Sequence, residues 1–214
     1  MKYSCIVSDP PWQFEDELKS MGDLTQRGAA SQYPVLSPAE IIKLPVSKIA
    51  DPEGCLLALW VPSVLLDIGL ETMSSWGFNF KQTFIWVKTK SGDNAIKKII
   101  ETKDLNDSLA FGMGRLFRQS HELALIGTNN NGVYRMLTNK SQRSVLFDEN
   151  KGHSIKPEGL QDRLDIMFPG AKKLEMFARR QRPGWECVGN QVLDGEDIRD
   201  TLKRLTEDEK ESKE

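Results

Sequence analysis

Seven consecutive residues, Cys55-Leu56-Leu57-Ala58-Leu59-Trp60-Val61, form an almost wholly apolar run. It lacks the polar alternation of a strand with one wet face, and it is far too short to span a bilayer. A run of this kind fits a strand covered on both faces, as in a parallel sheet flanked by helices. The rest of the chain alternates in the same sense. Cys5-Ile6-Val7 is a short β-branched run stopped by Pro10 and Pro11, because proline cannot continue a central strand. Thr83-Phe84-Ile85-Trp86-Val87, Glu122 to Gly127, Leu174-Glu175-Met176-Phe177-Ala178 and Glu186-Cys187-Val188-Gly189 read as four further strands. Ser37-Pro38-Ala39-Glu40 opens a helix with a cap, an early proline and an acidic residue. That helix runs to about Leu44. Others are expected over Val64 to Trp76, Pro157 to Met167 and Ile198 to Leu205. Residues 15–37, 88–120 and 128–152 lack a clear period and are expected as loops, the second rich in lysine.

Strands alternating with helices predict an α/β fold with a mostly parallel sheet and helices on both faces. The 214 residues suit one domain spanning 1–214, with residues from about 206 forming a charged, frayed tail. Ligands in such sheets bind beyond the carboxyl ends of strands, where strand order reverses. Asp9 follows the first strand and Arg179 the fifth, so both belong at that edge.

Charge excludes some partners. The formal net charge is -2, so a nucleic-acid partner would need a local basic face rather than a basic protein. Cys5, Cys55 and Cys187 are dispersed, without a Cys-x-x-Cys pair, and the only histidines are His121 and His153. That pattern fits neither a structural zinc site nor a disulfide framework. No metal is expected, and no membrane partner, since no run is long and apolar enough. The reducing cytoplasm is the expected compartment.

Asp9-Pro10-Pro11-Trp12 is the segment most able to carry chemistry. An aromatic exocyclic amine is a poor nucleophile because its lone pair is delocalised into the ring. Acceptors on both amine hydrogens favour a more tetrahedral nitrogen and release that pair. Asp9 offers a carboxylate, and the loop backbone offers a carbonyl. Two successive prolines stiffen the loop and remove two competing N–H donors, a preorganisation of the kind that stabilises developing charge. Trp12 offers a face on which an extruded base could stack, worth about 1–3 kcal/mol. In isolation the same four residues also read as a turn with Trp12 in the core.

The tetrad does not stand alone. Gln32-Tyr33-Pro34-Val35-Leu36-Ser37, Leu59-Trp60-Val61, Trp76-Gly77-Phe78, Trp86-Val87-Lys88, Arg118 with His121-Glu122, and Ser154-Ile155-Lys156-Pro157 follow in order. Pro169-Gly170, Leu174 to Arg179, Pro183-Gly184-Trp185 and Gly189-Asn190-Gln191 complete the series. From Cys5 to Gln191 the chain resembles the adenosine N6-methyltransferase family that includes the catalytic subunit of the eukaryotic messenger-RNA writer and many bacterial and phage enzymes. The resemblance implies a Rossmann-like methyltransferase fold in permuted order, with the catalytic loop first and the cofactor-binding strands last. It implies S-adenosyl-L-methionine as cofactor.

The resemblance also assigns roles. Asp9, Pro10, Pro11 and Trp12 are the catalytic loop. Ser8, Asp9, Ser154, Lys156, Phe177, Arg179, Asn190 and Gln191 line the cofactor pocket. Lys156 reaches the methionine carboxylate, and Arg179, Asn190 and Gln191 bond ribose or carboxylate. Trp12, Tyr33, Glu122, Lys88 and Arg118 face the substrate. Lys88, Lys90, Lys97, Lys98, Lys103, Arg115 and Arg118 form the basic face that phosphates need. Glu122 reads equally as a surface carboxylate, and the lysines as a solvated loop. Gly112-Met113-Gly114 lacks the third glycine of a nucleotide loop. The family often has a histidine after the pocket arginine; this chain has Gln181.

The expected reaction is methyl transfer to the N6 amine of adenine in DNA, favoured over RNA by the compact layout without zinc modules. The alternatives are RNA adenosine and a non-catalytic partner subunit. A cytosine-amine enzyme usually has serine at the first loop position, so Asp9 disfavours that reading. A homodimer or paired subunit is expected, since relatives often pair.

Overall fold

The computed structural model describes residues 2–13, 36–112, 116–152, 155–192 and 195–211, with side chains as far as Glu207. Its strands are β1 (Cys5–Ser8), β2 (Leu56–Val61), β3 (Asn79–Thr89), β4 (His121–Thr128), β5 (Val145–Glu149), β6 (Lys173–Met176) and β7 (Glu186–Val188). They form one sheet in the order β5-β3-β4-β2-β1-β6-β7. Parallel pairs join β1 to β2 and β6, β6 to β7, and β3 to β5. Only β4 runs against its neighbours β2 and β3. Every residue of β1 and β2 is buried, which is why their sequences lack an apolar–polar alternation.

Helices cover both faces: α1 (Pro38–Ile42), α2 (Leu66–Ser75), α3 (Gly92–Thr102), α4 (Val133–Met136), α5 (Gly159–Met167) and α6 (Ile198–Glu211). Alternating strand residues divide the core in two. Ile6, Leu57, Leu59, Leu125, Leu174 and Met176 pack on one face with Ile41, Met73, Ile198, Leu202 and Leu205 from α1, α2 and α6 and with Trp76, which caps α2. Cys5, Val7, Ala58, Trp60, Ala124 and Ile126 pack on the other with Val133, Leu160 and Leu164 from α4 and α5. The α/β expectation therefore holds, as a mostly parallel, Rossmann-like sheet with helices on both sides. The start of α1 is a capping box: Ser37 Oγ accepts the Glu40 N–H at 3.3 Å, and Glu40 Oε2 accepts the Ser37 N–H at 2.9 Å. No described helix is long and apolar enough to cross a membrane.

Three stretches differ from the sequence reading. β5 lies within 128–152, expected as a loop. It is an edge strand with one neighbour and exposed Val145 and Phe147, so no core demanded an apolar period there. α3 lies within 88–120, and Ala95 is its one buried residue, with Ile96 and Ile100 60% and 72% exposed. α6 continues to Glu211 where a frayed tail was expected from about 206.

Candidate active site

From β1 the chain crosses to β2 on one side, whereas β6 and β7 add on the other. Strand order thus reverses between β1 and β6, and their carboxyl ends open the crevice where such sheets bind ligands. Ser8 is in register with Met176, and the Asp9 N–H reaches the Met176 carbonyl at 3.5 Å. Asp9 and Phe177 therefore leave adjacent strands side by side.

The loop after Asp9 is tied down at each step. The Trp12 N–H donates to the Pro10 carbonyl at 2.8 Å, and the Leu36 N–H to the Pro11 carbonyl at 3.0 Å. The Trp12 indole N–H donates to the Trp60 carbonyl at 2.9 Å. Pro10 and Pro11 themselves donate nothing, so their carbonyls are the polar groups of this loop. Each carbonyl has two lone pairs and accepts one of these backbone N–H groups. Trp12 is 4% exposed and belongs to the core. The ring packs in the core and its indole N–H ties the loop to β2.

A charge cluster faces Asp9. Lys156 Nζ lies 2.9 Å from Asp9 Oδ2 and 3.2 Å from Glu122 Oε2, and Lys88 Nζ lies 2.5 Å from Glu122 Oε1. The four side chains are 17–26% exposed, so they sit in a recess rather than on the surface. Lys156 also lies 5.6 Å from the Trp60 ring and Lys88 4.9 Å from the Trp86 ring. Burial works against the Lys156 charge, but Asp9 and Glu122 outweigh it and hold the ammonium above its ordinary pKa. Burial likewise works against the Glu122 carboxylate, yet Lys156 and Lys88 pull it below its ordinary value. Lys156 and Glu122 are thus both held charged near neutral pH. Glu122 reaches this edge because β4 is antiparallel, so its first residues meet the ends of β1 and β2.

The remaining cofactor candidates lie on the β6–β7 side. Phe177 has a left-handed backbone, φ 60°, a strained state for a non-glycine residue that clusters at functional sites. Its side chain packs against the core. Arg179, Asn190 and Gln191 are exposed at the ends of β6 and β7. Gly189 fits because its neighbours are close: a Cβ there would lie 2.6 Å from the Ala178 carbonyl oxygen and 2.9 Å from the Phe177 carbonyl carbon. The Ser8 hydroxyl is fully buried and has no hydrogen-bond partner among the described residues. Arg118 is apart from the cluster, its guanidinium 4.6 Å from the exposed Phe111 ring. Tyr33, Ser154 and Arg115 lie outside the described residues.

The pattern of the MT-A70 family matches residues 3–191. The chain belongs to the MT-A70 family. It is 29% identical to the human N(6)-adenosine-methyltransferase catalytic subunit METTL3 over 91% of its own length and 29% of that protein's. It is 30% identical to the zebrafish N(6)-adenosine-methyltransferase subunit METTL3 over 91% of its own length and 28% of the relative's. It is 30% identical to the human N(6)-adenine-specific methyltransferase METTL4 over 89% of its own length and 38% of the relative's. The chain thus spans about a third of the length of the curated relatives it matches.

MT-A70 methyltransferases use S-adenosyl-L-methionine as methyl donor, and the donor set beside Asp9 fits it. A lysine ammonium has three N–H donors. Asp9 and Glu122 take two from Lys156, leaving one for a carboxylate. Arg179, Asn190 and Gln191 bring the polar groups that a ribose and an amino-acid end require. The sequence reading missed the part played by three residues. Trp60 accepts the Trp12 indole N–H and flanks Lys156. Trp86 flanks Lys88. Glu175, one strand over from Asp9, is a carboxyl that burial pushes above its ordinary pKa, with Gln161 and Arg182 opposing and Asp9 adding to the rise. Their only signal was a place in the family-like blocks, which says nothing of what each side chain touches.

Proposed function

We propose that this MT-A70 protein transfers a methyl group to the exocyclic N6 amine of adenine in nucleic acid, with DNA as the polymer. The observation that carries the reading is the Asp9 carboxylate, set at the strand-order reversal, beside the Pro10 carbonyl and 2.9 Å from Lys156. Bound S-adenosyl-L-methionine supplies an electrophilic methyl group. Asp9 accepts one amine hydrogen and the Pro10 carbonyl accepts the other, which raises the nucleophilicity of the nitrogen. Trp12 keeps that carbonyl in place through Trp60, and the two prolines add no competing donor. Lys156 binds the cofactor carboxylate with its third N–H while its contact with Asp9 keeps that carboxylate oriented. Arg179, Asn190 and Gln191 bind the ribose and amino-acid end.

Nucleic acid needs a cationic path to this recess. Lys90, Lys97 and Lys98 surround one cavity of about 560 Å³ with Ser91, Asn94 and Glu101. They are the phosphate contacts of the proposal, and Arg118 with Phe111 adds a cationic, aromatic edge. Tyr33 and Glu122 are assigned to the target base. Likeness to a relative named for adenine supports DNA. Likeness to relatives named for adenosine supports the same reaction on RNA, the second reading. Two of these relatives are named as subunits, so pairing with a second chain is part of the proposal, and the molar mass from sedimentation equilibrium measures it.

The deciding experiment incubates the protein and Asp9→Asn with labelled S-adenosyl-L-methionine and matched DNA and RNA oligonucleotides, followed by nucleoside mass analysis. N6-methyladenine from one polymer, lost in Asp9→Asn, is expected. Label on the cytosine amine refutes the base assignment. No transfer despite cofactor binding supports a non-catalytic partner subunit instead.

A further inference from the structure

The connection from β6 to β7 carries Phe177 and Arg179, and the segment entering α5 carries Lys156. One arginine ties these two strips together. Arg182 contacts Glu158 through Nη1, and Asp162 and Asp165 through Nη2 at 2.7 and 2.8 Å. The three acids lie at positions i, i+4 and i+7, a single stripe along α5 and its start. Three like charges on one stripe repel one another, so their arrangement has meaning only with the cation that faces them. Arg182 is 15% exposed, and its planar fork presents five donors in a fixed geometry from two terminal nitrogens, where a lysine has three donors on one. The turn is closed behind it: the Trp185 N–H donates to the Arg182 carbonyl at 3.1 Å, and the Trp185 indole N–H to Asp165 at 2.9 Å. Arg180 also meets Glu158.

The placement relates this clasp to the pocket. Glu158 is two residues after Lys156, and Arg182 is three residues after Arg179. Phe177, Ala178 and Trp185 pack on the core at the two ends of this connection, and the clasp adds a tie from the stretch between them to the start of α5.

We propose that Arg182 is a positioning residue for the cofactor pocket, holding Arg179 and Lys156 in fixed relation through Glu158, Asp162 and Asp165. This rests on the cofactor reading above. Arg182 touches neither the target amine nor the charge cluster at Asp9, so its loss should appear in cofactor affinity and not in the chemical step. S-adenosylhomocysteine is titrated calorimetrically onto wild type, Arg182→Lys, Arg182→Met and Glu158→Gln at about 15 °C, near the usual stability maximum. Melting temperatures are recorded alongside. Arg182→Met is expected to weaken binding by about tenfold and Arg182→Lys by somewhat less, the scale of a displaced pocket strip. At saturating cofactor, kcat stays within about twofold of wild type, and the KM for the adenine substrate is unchanged. If Arg182→Met does not fold, Glu158→Gln decides, since it takes the charge out of the tie at the Lys156 end and leaves Asp162 and Asp165 on the arginine. Unchanged affinity in folded variants, with only a lowered Tm, overturns the proposal and leaves a purely stabilising clasp. A wild type that fails to bind S-adenosylhomocysteine refutes the cofactor reading itself, whereas equal binding by wild type and variants refutes the clasp alone.

Discussion

Replacing Lys156 by Met keeps an unbranched stem beside Trp60 but removes the cation shared by Asp9 and Glu122. Breaking a fully buried ion pair from one side costs about 3–5 kcal/mol. The carboxylates here are about one quarter exposed, and Lys88 still serves Glu122 at 2.5 Å. The expected cost is therefore lower, about 2 kcal/mol at neutral pH, or about 4–8 °C of Tm for a chain of this size. The pH dependence identifies the cause. In wild type the Glu122 pKa is lowered by folding. Its contribution is present above the unfolded value of about 4.3 and is lost as pH falls through the folded value. The Lys156 pKa is raised by folding. Its contribution is present below the unfolded value of about 10.4 and is lost as pH rises through the folded value. The two windows overlap from about pH 5 to 10, so the variant's deficit should be constant there. In the variant, burial acts on Glu122 with one cation fewer, so its pKa rises and protonation relieves the strain. Melts followed by circular dichroism should show the full deficit at about pH 8 and less than half of it at about pH 4. A deficit that does not change across this range would refute the ionic origin and assign the loss to packing against Trp60. Titration with S-adenosylhomocysteine should show weaker binding by the same variant, and an unchanged Kd would remove Lys156 from the cofactor site.

Asp9→Asn should lower methyl transfer by about 10²–10³ or more, as for other preorganised site groups, while calorimetry finds the cofactor Kd nearly unchanged; equal loss of both would end the assignment of Asp9 to the amine. Trp12→Phe leaves the buried Trp60 carbonyl without its donor and should cost about 1–3 kcal/mol. Its transfer rate should fall as the Pro10 carbonyl loses its anchor, and full activity in a folded variant would restore Trp12 to a simple core role. Gly189→Ala places a Cβ within 3 Å of the backbone at Phe177 and Ala178, so both Tm and cofactor affinity should fall, whereas an unchanged pair of values would mean that this edge is free to shift.

What could be read from the residues alone follows from where burial leaves a mark. Cys5 to Val7 and Cys55 to Val61 are covered on both sides, so every side chain is apolar or small and the strands declare themselves. β5 and α3 each bury little, so neither carries the near-continuous apolar run of a strand covered on both sides. Asp9 was legible because two prolines after a β-branched run leave few conformations and few donors. The burial of Trp12 was not, since a ring that stacks on a base and one that packs under a loop use the same residue. The pairing of Asp9 with Lys156 spans 147 positions and depends on where α5 begins. Glu122 is the sharper case. Its neighbours Leu123 and Leu125 predict a strand but not its direction. Run parallel to β2, that strand would carry Glu122 to the opposite edge of the sheet, leaving Lys156 with Asp9 alone and Lys88 without its carboxylate. The charge balance of the site is thus set by one antiparallel strand, a property of the pairing of β4 with β2 and β3 that no local pattern in residues 121–128 encodes.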